Sequence, residues 1–301
     1  MHAFDIHDDR FQALILPNAR LELLGQGFRW LEGPVWFADL ACLLVSDLPN
    51  DRIMRWSESG GISLFRQPSG FANGHTRDRQ GRLLGCSHRH RCITRTELDG
   101  AITILADRYQ GRKLNAPNDI VVKHDGTIWF TDPLFGISTD YEGGRQISEA
   151  PARVYRLDPA DGALSIVIDD LAGPNGLCFS PAETKLYITE AGPPFAAHAV
   201  QHIIEYEVTS DGDALGGSKI FHKIQPGFAD GIKCDEYGNI WSSAGNGVHC
   251  IAPDGQLLGI IKTGSVVSNI AFGGPQRSRL FICAGDQLFA IFLNCRGVTF
   301  P

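Results

Sequence analysis

The sequence predicts an all-β chain folded as a six-bladed β-propeller with four-stranded blades, in which a strand near the N-terminus completes the last blade. Internal repetition, turn chemistry and an unfinished last repeat carry that expectation. A unit consisting of a polar or acidic residue, an alternating strand, a turn and a second strand starts at Glu32, Asn73, Asn118, Asn175, Asp230 and Asn269. The starts lie roughly 40 to 57 residues apart, near the length of one propeller blade.

Each of the first five units continues into an outer hairpin, as in RIMRW then ISLF, or IIEYEV then SKIFHKI. The connections carry Gly60-Gly61, Asp99-Gly100, Asp161-Gly162, Asp211-Gly212 and Asp254-Gly255, where glycine supplies the positive φ of a tight turn. Asp230-Gly231 has the same letters but opens a unit, so it is not read as a turn. The sixth unit ends after SNIAFG, RLFICA and QLFAIFL, and RLELLG at 20–25 is the segment able to supply its missing strand and protect the open edge. Residues 1–301 are read as one propeller domain, with 1–18 as an N-terminal extension.

The chain is 301 residues long, 43% hydrophobic, and carries a net charge of −7 without any run of lysine or arginine. It offers no electrostatic footprint for nucleic acid or an anionic membrane. The N-terminal stretch lacks the basic and apolar regions of a secretion signal, and no segment is apolar enough to span a bilayer, so a cytoplasmic protein is expected. Eight scattered cysteines without a C-x-x-C pair are read as reduced, packed thiols. The expected partner is a small molecule, and the expected state a monomer or weak homo-oligomer.

In a propeller the innermost strands line the channel, so the six unit-initial residues should form a ring at one mouth. Six oxygen-bearing side chains in equivalent places suit one hard divalent cation such as Ca2+ or Mg2+. Taken singly, each could instead satisfy local backbone groups ahead of a strand. The same strand order puts SHRHR (87–91), the long loop 133–151 and the loop 191–201 on the ring's face, as walls of a covered pocket. Asp132 and Glu190, at the ends of second strands, are candidates either to bind substrate hydroxyls or to cap turns. His88 is the titratable candidate for proton transfer, with a structural role as the alternative. No nucleophile elbow, H-E-x-x-H helix, phosphate loop or dinucleotide fingerprint occurs, which leaves metal-centred hydrolysis.

The blocks LEGPVW (31–36), LNAPNDIVVKHDGTIWFTDP (114–133), GPNGLCFS (173–180) and FADGIKCDEYGNIW (228–241) resemble the gluconolactonase and senescence-marker-protein (regucalcin) family, and its bacterial gluconolactonases in particular. The resemblance implies a six-bladed propeller and hydrolysis of a sugar lactone to its aldonic acid. It further implies a divalent metal held by Glu32, Asn175 and Asp230 with Asn118 nearby, Ca2+ being favoured and Mg2+, Mn2+ or Zn2+ admissible. Asn73, Asn118, Asp132 and Glu190 are then expected at the substrate, with Asp230 and His88 in the chemistry. Two positions depart from the family pattern. Ala116 stands where regucalcin-type members have an arginine, and Ser87 precedes His88 where bacterial members usually carry an acid. Hydrolysis of other esters or organophosphates, and a calcium-binding propeller without catalysis, are the alternatives.

Overall fold

The computed structural model describes residues 3–196 and 200–298, and six antiparallel sheets follow one another around a central channel. Blades one to six begin with the innermost strands Leu31–Phe37, Ala72–Arg77, Ile120–Val122, Pro174–Phe179, Ile232–Cys234 and Asn269–Gly273. Each innermost strand touches the one before and the one after, and the last touches the first, which makes the ring. The expected outer hairpins are present, and Gly61, Gly100, Gly162, Gly212 and Gly255 in their turns all have positive φ.

The ring closes as the unfinished sixth repeat requires. Glu22–Gln26 pairs with Gln287–Phe292, in the register Leu23 to Phe289, and becomes the outermost strand of blade six. The segment ahead of it does more than extend the chain. Phe4–Ile6 pairs with Leu257–Lys262, so blade five has five strands where four were expected. Phe11 follows in the short 3-10 helix Asp9–Ala13 and is fully buried 6.0 Å from Trp241. Gly259 permits this, since a Cβ there would lie 2.2 Å from the Phe11 ring.

Apolar clusters fill the seams between blades, and Trp129, Trp241, Phe179 and Phe281 are fully buried there. A second repeat, of hydroxyls, joins the blades at the upper end of the channel. Ser46, Thr131 and Thr189, on second strands, donate to the carbonyls of Asn73, Asn175 and Asp230, the unit-initial residues of neighbouring blades. Glycines after those residues let the backbones approach. A Cβ on Gly33, Gly74 or Gly176 would lie 2.0, 2.4 or 2.2 Å from the carbonyl oxygen of Asn73, Asn118 or Asp230, and one on Gly231 would lie 2.1 Å from Asn269 Oδ1. Asp230-Gly231 is thus a packing contact and not a turn. All eight cysteines are buried as free thiols. No helix among the described residues is long and apolar enough to cross a membrane.

Candidate active site

The upper mouth of the channel gathers the unit-initial residues, all six of them buried except that Asp230 is half-buried. Glu32 is fixed from three sides. Its carboxylate accepts from Trp30 Nε1 at 3.3 Å, from the Gly33 backbone N–H at 3.2 Å and from Asn269 Nδ2 at 3.2 Å. The Asn269 Oδ1 is taken by the Ile270 N–H, so Asn269 serves to hold Glu32. Across the channel Asn175 hydrogen-bonds the Asp230 side chain. Burial pushes the Glu32 and Asp230 carboxyls up from their ordinary range, and each is raised further by neighbouring carboxylates.

Two of those neighbours were not anticipated. Asp119 occupies the place that glycine takes after the ring residue in blades one, two, four and five, and its carboxyl acts on both Glu32 and Asp230. It is buried, with Oδ2 unpartnered by any hydrogen bond and Lys233 Nζ 3.8 Å away. Glu142, from the loop 133–151, adds a further acid above Asp230, with its own carboxyl raised by burial. The break in the glycine pattern at Asp119 was a readable signal. Nothing in the sequence marked Glu142, because a long loop can place it anywhere.

His88 lies fully buried under the same loop. Its Nδ1 is 2.9 Å from the Glu142 carbonyl, which can only accept, so Nδ1 carries the proton and Nε2 accepts from Asn73 Nδ2 at 3.2 Å. This orients the Asn73 amide and leaves its Oδ1 without a hydrogen-bond partner. Burial lowers the imidazole to about 4, so it is neutral at neutral pH. Gly136 is needed for the loop to lie on the ring, since a Cβ there would sit 2.3 Å from His88 Nδ1.

Asp132 and Glu190 both accept from backbone amides, as the capping alternative expects, while Asp132 Oδ1 has no hydrogen-bond partner among the described residues. Asp132 Oδ2 accepts the Asn115 N–H at 2.8 Å, and burial pushes its carboxyl up to about 7. Glu190 accepts the N–H groups of Ala172, Gly173 and Gly192. Both anchor loops beside the mouth. The loop 191–201 is described only outside residues 197–199. With Phe135, Tyr141 and Glu142 from the long loop and Phe228, two residues before Asp230, its Pro193 and Phe195 wall a cavity of about 400 Å³.

The donor set can be tested against a divalent cation. Among the described residues no three His, Cys, Asp or Glu side chains converge as ligands. The ring instead combines two carboxylates with amide oxygens, the donor mixture of a hard cation. Asn175 Oδ1 is buried without a hydrogen-bond partner among the described residues, and the Glu32, Asp119 and Glu142 carboxyls all act on Asp230, with Lys233 Nζ 3.8 Å from Asp119. An unpartnered amide oxygen beside desolvated acids fits a cation bound between them.

The propeller and its acidic upper mouth define a member of the SMP-30/gluconolactonase/LRE-like family, whose model matches residues 30–286, and the chain belongs to that family. A gluconolactonase of Zymomonas mobilis is 30% identical over 306 residues, covering 94% of this chain and 83% of its own. A gluconolactonase structure from Xanthomonas campestris superposes with a TM-score of 0.89 at 37% identity, over 96% of this chain and 95% of the other. A calcium-binding regucalcin of Agrobacterium tumefaciens, 18% identical with a TM-score of 0.78 over 94% and 96% of the two chains, shares the fold.

Proposed function

We propose that this protein is a metal-dependent hydrolase that opens a sugar lactone to its aldonic acid at the upper mouth of the channel. The observation that carries the reading is the pairing of buried Glu32 and half-buried Asp230 with the amide oxygen of Asn175, which has no hydrogen-bond partner among the described residues, in a chain similar along most of its length to gluconolactonases. Glu32, Asn175 and Asp230, with Asn118 beside them, would hold the ion, Ca2+ being favoured. When bound, such an ion supplies Lewis-acid polarisation of the ester carbonyl and eases deprotonation of a nearby water.

This chain's own residues do the remaining work. Asp230 in its ionised form accepts the proton of the attacking water, which requires the carboxylate that burial otherwise disfavours. Asn73 and Asn118 orient the ester and its hydroxyls, and His88 acts as a positioning residue by fixing the Asn73 amide. The burial of Glu32, Asn73, Asn118 and Asn175 strengthens each polar contact among them.

The test is hydrolysis of a panel of aldonolactones by metal-stripped protein with each divalent ion restored, subtracting spontaneous opening. Metal-dependent turnover that falls by at least about a hundredfold in Asp230→Asn, and is lost in Glu32→Gln, is the expected result. Turnover of phosphotriesters in preference to lactones would move the substrate class. Tight metal binding by folded protein without acceleration of any ester would leave a calcium-binding propeller.

A further inference from the structure

The channel does not end at the ring. Below it, residues two to four places further along all six innermost strands enclose a separate cavity of about 190 Å³ that reaches the opposite face. It is smaller than the roughly 300–1,000 Å³ of pockets that hold drug-sized ligands, so its occupant is a small molecule. The lining has two chemistries. Val35, Leu177 and Phe272 give apolar walls, while Arg77, Lys233 and Arg277 contribute three cations, and among the described residues no acid lines the space.

The cations are unequally committed. Arg77 pairs with Asp39 at 2.9 Å and lies over the Phe37 ring. Lys233 donates to the Ile232 carbonyl at 3.0 Å and is 3.8 Å from Asp119 Oδ2, too far for a hydrogen bond. The Arg277 guanidinium has no carboxylate partner among the described residues. His75, which also lines the chamber, is already engaged by Ser46 Oγ at 2.9 Å and by the Leu84 carbonyl, so it does not compete for an anion.

We propose that this lower chamber is a second small-molecule site, taking a short organic monocarboxylate whose charge meets Lys233 and Arg277 and whose body lies on the apolar walls. An inorganic anion would leave the walls unused, and a neutral molecule would leave Lys233 and Arg277 without a counter-charge inside the chamber. Charge-assisted contacts to ammonium and guanidinium, in a space shut off on one side by the ring, provide the preference for a carboxylate. The site depends on residues below the ring and holds whether or not the ring hydrolyses lactones.

Ligand-observed NMR on the full chain, with whatever metal it carries, tests this with hexanoate and its neutral analogue 1-hexanol. Hexanoate is expected to bind at least about tenfold more tightly than hexanol. Lys233→Met and Arg277→Gln should each remove most of that difference, and Asn175→Ala at the ring should leave it intact. Arg277 lies at the half-exposed edge of the chamber, so Arg277→Gln remains informative if Lys233→Met fails to fold. Equal binding of the two probes overturns the proposal, as do hexanoate affinities unchanged in folded Arg277→Gln. Loss of hexanoate binding in Asn175→Ala would place the anion at the ring and overturn it equally.

Discussion

Replacing Gly176 by alanine tests the idea that the ring glycines are there for space. Gly176 is not at a positive φ, so a methyl group meets no backbone penalty of its own. It does meet blade five, because the new Cβ would stand 2.2 Å from the Asp230 carbonyl oxygen, roughly 1 Å inside ordinary contact. The two blades must then separate, stretching the Gly176 N–H bond to that carbonyl at 3.0 Å and the Thr189 Oγ1 bond to it at 2.8 Å. Overpacking costs about 1–3 kcal/mol and a weakened buried hydrogen bond about 1 kcal/mol more, so a loss of about 2–4 kcal/mol is expected. The displacement also moves Asp230 relative to Asn175, and divalent-ion affinity should fall with stability. Urea denaturation and calorimetric Ca2+ titration read both quantities. A Gly176→Ala protein with the midpoint and metal affinity of the parent would refute the account of blade packing.

Three further outcomes follow from named contacts. Deleting residues 1–18 removes Phe4–Ile6 and the buried Phe11 and should cost about 3–5 kcal/mol; deleting 1–26 also opens blade six at Gln287–Phe292 and should cost more, by denaturant midpoint. A 1–26 deletion no less stable than the 1–18 deletion would contradict closure by Glu22–Gln26. His88→Gln should lower kcat/KM about tenfold without moving the pH–rate profile, because the imidazole orients Asn73 and carries no reacting proton; a shifted acid limb would make it a base. His75 is held down to about 4 by burial against an ordinary 6.5, so below pH 6.5 the unfolded chain takes up a proton that the native state refuses. Acidification from pH 7 to 5 should therefore cost about 2 kcal/mol through this residue, and His75→Gln should lose correspondingly less over the same range.

What the sequence by itself determined was periodic. Six strand repeats, glycine turns and a sixth unit one strand short led to the propeller and to closure by the segment near residue 20, because each rests on local alternation and on a count. The same register placed Glu32, Asn175 and Asp230 among six residues at one mouth, since equivalent places in a closed ring must meet, and the resemblance to a known family singled out those three. Even the hydroxyls were written there, as the Ser or Thr ahead of an acid in LLVSD, IWFTD and LYITE, though their carbonyl partners were not.

Other features depended on chain segments far apart in sequence. Phe4–Ile6 gives no sign of its partner more than 250 residues later, and a three-residue strand is too short to show a period. Asp132 and Glu190 have the same side-chain chemistry whether they face a substrate or a backbone amide, and only the path of the loops assigned them to the amides. His88 likewise became a positioning group because a loop arriving from residues 133–151 brought it the Glu142 carbonyl and shut out water. Repetition reports where the inner strands begin. What each side chain there can do was decided by desolvation and by the non-repeating loops laid across the ring, and neither leaves a periodic trace in the chain.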